Sequence, residues 1–200
     1  MDIAFINHYK HKRNTFYRWK EETHFVNKVS LAFLFSCLTA AGASVKIFFP
    51  FTPVPLTLQV FFVLLGGLVL GKWYGGLAQV FYVGMGAAGI PWFTAQSALM
   101  GVTGGYLIGF ILAAFLVGWL TDIRLQARYF KGLMVVMLLA LGVIYACGSF
   151  QLSMILGTNL FDTLSLGVLP FIGKDILTLF LLSSIGSVIL PKKHECAPLK

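Results

Sequence analysis

Long stretches without a charged residue limit the fold of this chain more than any other feature. No Asp, Glu, Lys or Arg occurs in four intervals, 47–71, 73–121, 132–161 and 176–191. A helix that crosses the hydrocarbon core needs about 20 apolar residues, so the second interval is long enough for two crossings. Only 11% of the residues are charged, against about 25% in soluble domains. The sequence therefore predicts a multi-pass protein of the plasma membrane.

Glycine and proline residues divide the apolar sequence into helices. The alternating pattern of membrane β-strands, about 10 residues long, does not occur. We therefore predict an all-α integral membrane protein with six transmembrane helices. The predicted spans are 29–48, 56–71, 74–90, 100–121, 132–156 and 170–190.

The distribution of basic residues orients these helices, because cytoplasmic loops carry an excess of Lys and Arg. Placing both termini in the cytoplasm leaves only Lys46 and Lys174 on the outer side. The inner side then carries Lys10, Lys12, Arg13, Arg18, Lys20, Lys28, Lys72, Arg124, Arg128, Lys131, Lys192, Lys193 and Lys200. The predicted organisation is a basic, aromatic segment at the cytoplasmic membrane surface (1–28), a six-helix transmembrane domain (29–191) and a cytoplasmic tail (192–200).

A hinge with three prolines, residues 49–59, separates the first two predicted helices. Proline fixes φ and lacks an amide donor, so this segment cannot continue a helix. An irregular segment at a membrane must be covered by protein or line a wet cavity. We therefore predict an extended loop on the outer face, which forms the wall of a binding site with Thr57 and Gln59.

Two glycine-containing motifs resemble nucleotide-binding sequences without their context. Residues 66–72 fit the first seven positions of a P-loop, but Trp73 stands where Ser or Thr would bind magnesium. Residues 84–89 spell G-x-G-x-x-G outside any βαβ unit. The net charge of +8 is attributed to topology and anionic lipid, so nucleic-acid binding is not expected.

Catalysis and metal binding are not predicted either. No predicted span contains two carboxylates, and the predicted outer side has no histidine for acid–base chemistry. His8, His11 and His24 lie in the N-terminal segment without the spacing of metal ligands. We predict no enzyme, no metal and no cofactor.

Small residues recur every four positions on the first predicted helix, at Ala32, Ser36 and Ala40. Residues four apart share a helix face, and small side chains allow another helix to approach closely. This stripe serves either packing within the chain or docking onto a partner protein, and the sequence leaves both open.

Ionisable residues near a membrane tend to mark function, because their placement there is costly. The predicted outer side brings together Lys46, Lys174, Asp175, Gln59 and Thr57, with Gln96 as a further candidate. Such a pocket would suit a small anion with an amide-like head.

Three strings of residues then resemble a known family. P-V-P-L-T-L-Q (53–59) follows Lys46, G-A-A-G-I-P (86–91) ends the third span, and T-G-G-Y-L-I-G-F (103–110) opens the fourth. Together they resemble the BioY family of biotin transporters, whose members are the S components of energy-coupling-factor (ECF) transporters. The resemblance covers residues 31–190.

The resemblance implies the ECF S-component fold, with six helices, cytoplasmic termini and a vitamin site beneath an outer capping loop. It implies biotin as ligand and, as partners, a transmembrane coupling protein and two ATPase subunits. Docking by small residues on the first helix would involve Ala32, Ser36 and Ala40. Membrane lipids are expected around the protein, and a homo-oligomer remains open.

The resemblance also suggests how biotin is held. Asp175, with Asn or Gln nearby, suits the ureido ring, a lysine suits the carboxylate, and Trp92, Phe93 and Tyr106 would line the middle. The family pattern places a lysine where this chain has Thr178, so either Lys174 or Lys46 is the candidate cation. A membrane scaffold or assembly protein, or an S component for a different vitamin, is the alternative function.

Overall fold

The computed structural model describes residues 15, 19, 22–92 and 99–191. Within these ranges the chain forms seven α-helices and one antiparallel pair of two-residue strands. In chain order these are α1 (Phe25–Ser44), β1 (Lys46–Ile47), β2 (Leu56–Thr57), α2 (Gln59–Leu70), α3 (Lys72–Ala87), α4 (Gly104–Ile123), α5 (Phe130–Leu156), α6 (Leu160–Gly167) and α7 (Leu169–Ile189), with a 3₁₀ turn at Leu125–Arg128.

The helical fold class agrees with the prediction, and six of the seven helices overlap the six predicted spans. Four of them, α1, α4, α5 and α7, are long and apolar enough to cross a membrane. A seventh, short helix, α6, lies between the fifth and sixth predicted spans. It begins where the Asn159 side chain accepts a hydrogen bond from the Asp162 amide at 2.9 Å, which is a typical N-cap. The number of crossings and the side of the termini stay predictions.

Residues 49–55 are non-helical, as predicted, but Leu56 and Thr57, where the second helix was predicted to begin, form a strand instead, and α2 begins at Gln59. Lys46 pairs with Thr57 and Ile47 with Leu56. This pairing ends α1 at Ser44, four residues before the predicted boundary at 48. The prolines at 50, 53 and 55 lie between the two strands, where no ladder hydrogen bond needs their missing amide.

Successive long helices run in opposite directions, and the basic residues therefore gather at one end of the bundle. The Arg128 guanidinium donates to the Pro191 carbonyl at 3.1 Å, which brings the end of α7 to the start of α5. The Lys72 amide donates to the Asp122 carboxylate at 3.3 Å, which brings the α2–α3 turn to the end of α4. Among the described residues, this basic end carries Lys28, Lys72, Arg124, Arg128 and Lys131, and the other end carries Lys46 and Lys174.

Helix α4 lies against α2, α3 and α5 and forms the centre of the bundle. Its residues Ala113, Ala114 and Val117 are fully buried. Helices α2 and α3 form a tight hairpin, since a Cβ atom on Gly75 would lie 2.7 Å from the Gly67 Cα atom. Only glycine permits this backbone contact, so the glycines of the P-loop-like sequence serve helix packing.

Replacement of Gly75 by alanine should destabilise the protein. The added methyl group would meet the backbone of α2 rather than a flexible side chain, and overpacking of this kind costs about 1–3 kcal/mol. Thermal unfolding of the purified protein in detergent should show a lower midpoint for Gly75→Ala. Gly142→Ala is the matched control, because nothing lies within 4 Å of a Cβ at that position. Equal midpoints for the two variants would contradict the hairpin contact.

Candidate ligand-binding site

A cavity of about 60 Å³ lies at the less basic end of the bundle, between the strand pair and helices α2, α4, α5 and α7. Its apolar wall includes Val60, Leu107, Phe110, Ile144 and Phe171. Its polar lining includes Thr57, Gln59, Tyr82, Tyr106, Tyr145, Lys174 and Asp175. An apolar cleft with a few convergent polar groups is typical of a small-molecule site.

Lys174 and Asp175, in the second turn of α7, form an ion pair inside this cavity. The Lys174 Nζ atom lies 2.5 Å from Asp175 Oδ1 and donates a hydrogen bond to the Thr57 carbonyl at 3.0 Å. Asp175 is only 1% exposed. A buried carboxylate is costly unless it is paired, so Lys174 stabilises Asp175 and also ties α7 to β2.

The two carboxylate oxygens of Asp175 differ in their partners. Oδ2 accepts a hydrogen bond of 2.6 Å from the Tyr145 hydroxyl on α5. Among the described residues no correctly directed hydrogen bond reaches Oδ1, despite its short contact with Lys174. Because an ionised carboxylate oxygen can accept more than one hydrogen bond, Oδ1 keeps capacity for a donor from a ligand.

A chain of hydrogen bonds connects the hinge to the end of α3. The Thr57 hydroxyl donates to Gln59 Oε1 at 3.0 Å, and Gln59 Nε2 donates to the Tyr82 hydroxyl at 2.7 Å. The Tyr82 hydroxyl in turn donates to the Trp92 carbonyl at 3.2 Å. Gln59 and Thr57 are therefore held in fixed orientations at the cavity wall.

The structure brings five of the nine predicted ligand-binding residues to the cavity, namely Thr57, Gln59, Tyr106, Lys174 and Asp175. The Tyr106 hydroxyl donates to the Gly167 carbonyl at 2.7 Å, so its ring rather than its hydroxyl faces the ligand space.

Two further predicted residues, Lys46 and Trp92, lie outside the cavity wall. Lys46 is exposed, with its ammonium 5.9 Å from the Phe48 ring centroid. The Trp92 ring stacks on that of Tyr82, with centroids 6.4 Å apart. Phe93 and Gln96 lie outside the described residues. The ligand-binding roles of all nine residues stay predictions.

The small-residue stripe on α1 faces the interior of the protein. Ala32 and Ser36 are fully buried and Ala40 is 9% exposed. Ala32 packs in a cluster with Leu70 of α2 and Ala78 of α3. Packing within the chain therefore accounts for the stripe, and its use as a docking surface stays a prediction.

Thr52 connects the hinge to the segment before α7. Its hydroxyl donates to the Leu166 carbonyl at 2.6 Å and accepts from the Val54 amide at 3.2 Å. The bond to Leu166 joins the hinge to α6, and the bond from Val54 holds Thr52 in place within the hinge. The contact between Thr52 and Leu166 cannot be predicted from a local sequence pattern, because the two residues are 114 positions apart.

Loss of the Thr52 hydroxyl should loosen the hinge. Thr52→Val keeps the shape of the side chain but removes a hydrogen bond of about 1 kcal/mol, so amide exchange in residues 48–54 should accelerate severalfold. Hydrogen exchange followed by mass spectrometry measures this. Ser165→Ala is the control, since the Ser165 hydroxyl donates within α6, to the Asp162 carbonyl. Unchanged exchange in Thr52→Val would show that the hinge is held by other contacts.

A protein-family model described as the BioY family matches residues 12–194 of this chain. The chain belongs to the BioY family. It is 40% identical over 157 residues to the biotin transporter BioY of Thermotoga maritima, an alignment that covers 76% of this chain and 89% of that protein. It is 44% identical over 153 residues to the probable biotin transporter BioY of Pyrococcus horikoshii, covering 74% and 87%.

The fold also matches a solved structure of the S-component for biotin from an ECF-type ABC transporter. The TM-score is 0.72 at 24% sequence identity, over 81% of this chain and 89% of the other. This likeness confirms the predicted S-component fold. Because its named BioY relatives are transporters, the chain is a multi-pass membrane protein of a transporter family and not an enzyme, as predicted.

Proposed function

We propose that this protein binds biotin in the cavity around Asp175 and delivers the vitamin across the plasma membrane as an ECF S component. The observation that carries the proposal is a buried carboxylate whose Oδ1 atom retains acceptor capacity within a mostly apolar cavity. The names of the similar proteins support biotin as the ligand.

The chemistry of biotin fits this lining. Its ureido ring offers two N–H donors and one carbonyl, and Asp175 Oδ1 suits one N–H as a charge-assisted acceptor. Its thiophane ring and aliphatic chain need apolar walls, which Phe171, Phe110 and Leu107 supply. Gln59 lies in the same wall, and its amide N–H would donate to the ureido carbonyl.

Lys174 is the cation that we assign to the carboxylate of biotin. Among the described residues it is the only lysine that lines the cavity. The ureido ring and the carboxylate lie at opposite ends of biotin, so Lys174 cannot stay on Asp175 and bind the carboxylate at once. Its flexible chain would move from Asp175 to the ligand, while the ureido N–H replaces it on the aspartate.

Energy for transport would come from other subunits, because the P-loop-like sequence of this chain lies in a helix hairpin. A transmembrane coupling protein and two ATPase subunits are the partners we propose. Docking would use the part of α1 beside Ala32, Ser36 and Ala40, because these three side chains are themselves buried. Surrounding lipids, and a homo-oligomer as an alternative assembly, belong to the same proposal.

Thermal stabilisation by biotin tests the proposed function. A ligand present at 100 times its Kd stabilises the folded state by about 2.7 kcal/mol, so biotin should raise the unfolding midpoint of the detergent-purified protein. Thiamine and riboflavin at equal concentrations should leave the midpoint unchanged. A shift with either of them and none with micromolar biotin would mean an S component for another vitamin.

A further inference from the structure

A second cavity, of about 230 Å³, opens at the basic end of the bundle. It lies between α1, the α2–α3 turn and the end of α4. Its wall combines two lysines, Lys28 and Lys72, with the aromatic residues Trp73 and Tyr74 and the apolar Leu31. The proposed biotin site lies near the other end of the bundle, and the two cavities share no lining residue.

The backbone around this cavity is firmly held. Gly71 joins α2 to α3 with φ of 80°, a conformation that favours glycine. A Cβ on Gly118 of α4 would lie within contact distance of the Gly71 backbone, so α4 packs directly on the turn. The Asp122 carboxylate accepts from the Lys72 amide at 3.3 Å. The cavity is therefore preformed, which lowers the entropic cost of filling it.

The side chains of the cavity combine positive charge with aromatic rings. Lys72 Nζ lies 5.7 Å from the Trp73 ring centroid, and Trp73 is 68% exposed. Tryptophan and tyrosine are enriched at the membrane–water boundary, where their rings sit at the level of lipid headgroups. Among the described residues the lining contains two lysines and one carboxylate, that of Asp122, so its formal charge is positive and favours an anionic group.

We propose that this cavity binds the phosphate of an anionic phospholipid such as phosphatidylglycerol. The ammonium groups of Lys28 and Lys72 would contact the phosphate, Trp73 and Tyr74 would flank the glycerol, and the first acyl carbons would lie along Leu31. Basic pockets between membrane helices are typical sites for anionic headgroups. This assignment does not depend on biotin transport.

Quenching of tryptophan fluorescence tests the site in the full-length protein. Phosphatidylglycerol with brominated acyl chains is titrated into mixed micelles, and the Trp73→Phe variant isolates the contribution of Trp73. We expect Trp73 to be quenched at a lower fraction of brominated phosphatidylglycerol than of brominated phosphatidylcholine. Lys28→Gln and Lys72→Gln should each raise the half-saturating fraction about fivefold. Lys131→Gln, which removes a lysine at the same end but outside the cavity, should leave it unchanged.

Three results would overturn the proposal. Equal half-saturating fractions for the two lipids would show that the site does not recognise the headgroup charge. An equal rise of this fraction in Lys131→Gln would show that the effect comes from the overall positive charge of this end and not from the cavity. Displacement of the lipid by millimolar glycerol phosphate would assign the cavity to a soluble phosphate compound. Circular dichroism of each variant confirms that its helices are retained.

Discussion

Asp175→Asn should lower the affinity for biotin about 100-fold or more. Removal of one partner of a buried charge pair typically costs 2–5 kcal/mol, or about 30-fold to several thousandfold in Kd. The Tyr145 hydroxyl would keep the remaining oxygen as its acceptor, so the amide would present an N–H group where the ureido ring needs an acceptor. Radiolabelled biotin binding to the purified variant measures the effect.

Asp162→Asn provides a control for this prediction. Asp162 is exposed on α6, and its backbone amide rather than its carboxylate bonds to Asn159. Biotin affinity should therefore stay within about twofold of the unmodified protein, as is usual for exposed charges. If both variants bind biotin normally, the cavity around Asp175 is not the vitamin site.

Lys174→Ala should abolish the preference for biotin over biotin methyl ester. The ester keeps the ureido and thiophane rings but lacks the negative charge that we assign to Lys174. We expect biotin affinity to fall about 30-fold or more, because an ion pair in a partly buried site is lost, and ester affinity to change much less. Competition of both ligands against radiolabelled biotin measures the two affinities.

The Lys46→Ala variant tests which of the two candidate lysines binds the biotin carboxylate. The exposed ammonium of Lys46 lies near the Phe48 ring and outside the cavity wall, so we expect this variant to change biotin affinity by less than about threefold. An equal loss of acid and ester binding in Lys174→Ala would mean that Lys174 acts through Asp175. A loss of biotin affinity in Lys46→Ala alone would assign the biotin carboxylate to Lys46.

Much of this architecture is readable from local sequence. Apolar stretches divided by glycine and proline predict the helix boundaries to within about four residues, since only apolar side chains can face lipid over such lengths. The prolines around position 53 fixed the non-helical hinge, because they act on their own backbone. Thr57, Gln59, Lys174 and Asp175 stood out because polar residues are rare at such positions.

The remaining features depend on contacts between distant parts of the chain. Tyr145 lies in an apolar run, and nothing near it in sequence signals its bond to Asp175 across 30 positions. The bond of Thr52 to Leu166 spans 114 positions. The stripe at Ala32 has the same spacing whether it faces a partner or its own neighbours, and only the packed helices distinguish the two.

The small size of the biotin-site cavity has a kinetic consequence. Its volume of about 60 Å³ holds a few water molecules, whereas sites for small organic ligands usually measure about 300 Å³ or more. We therefore expect a bicyclic vitamin to enter after a movement of the hinge or of the Lys174 side chain. Association should therefore level off at high biotin concentration, at the rate of opening, and mutations that loosen the hinge should raise that plateau.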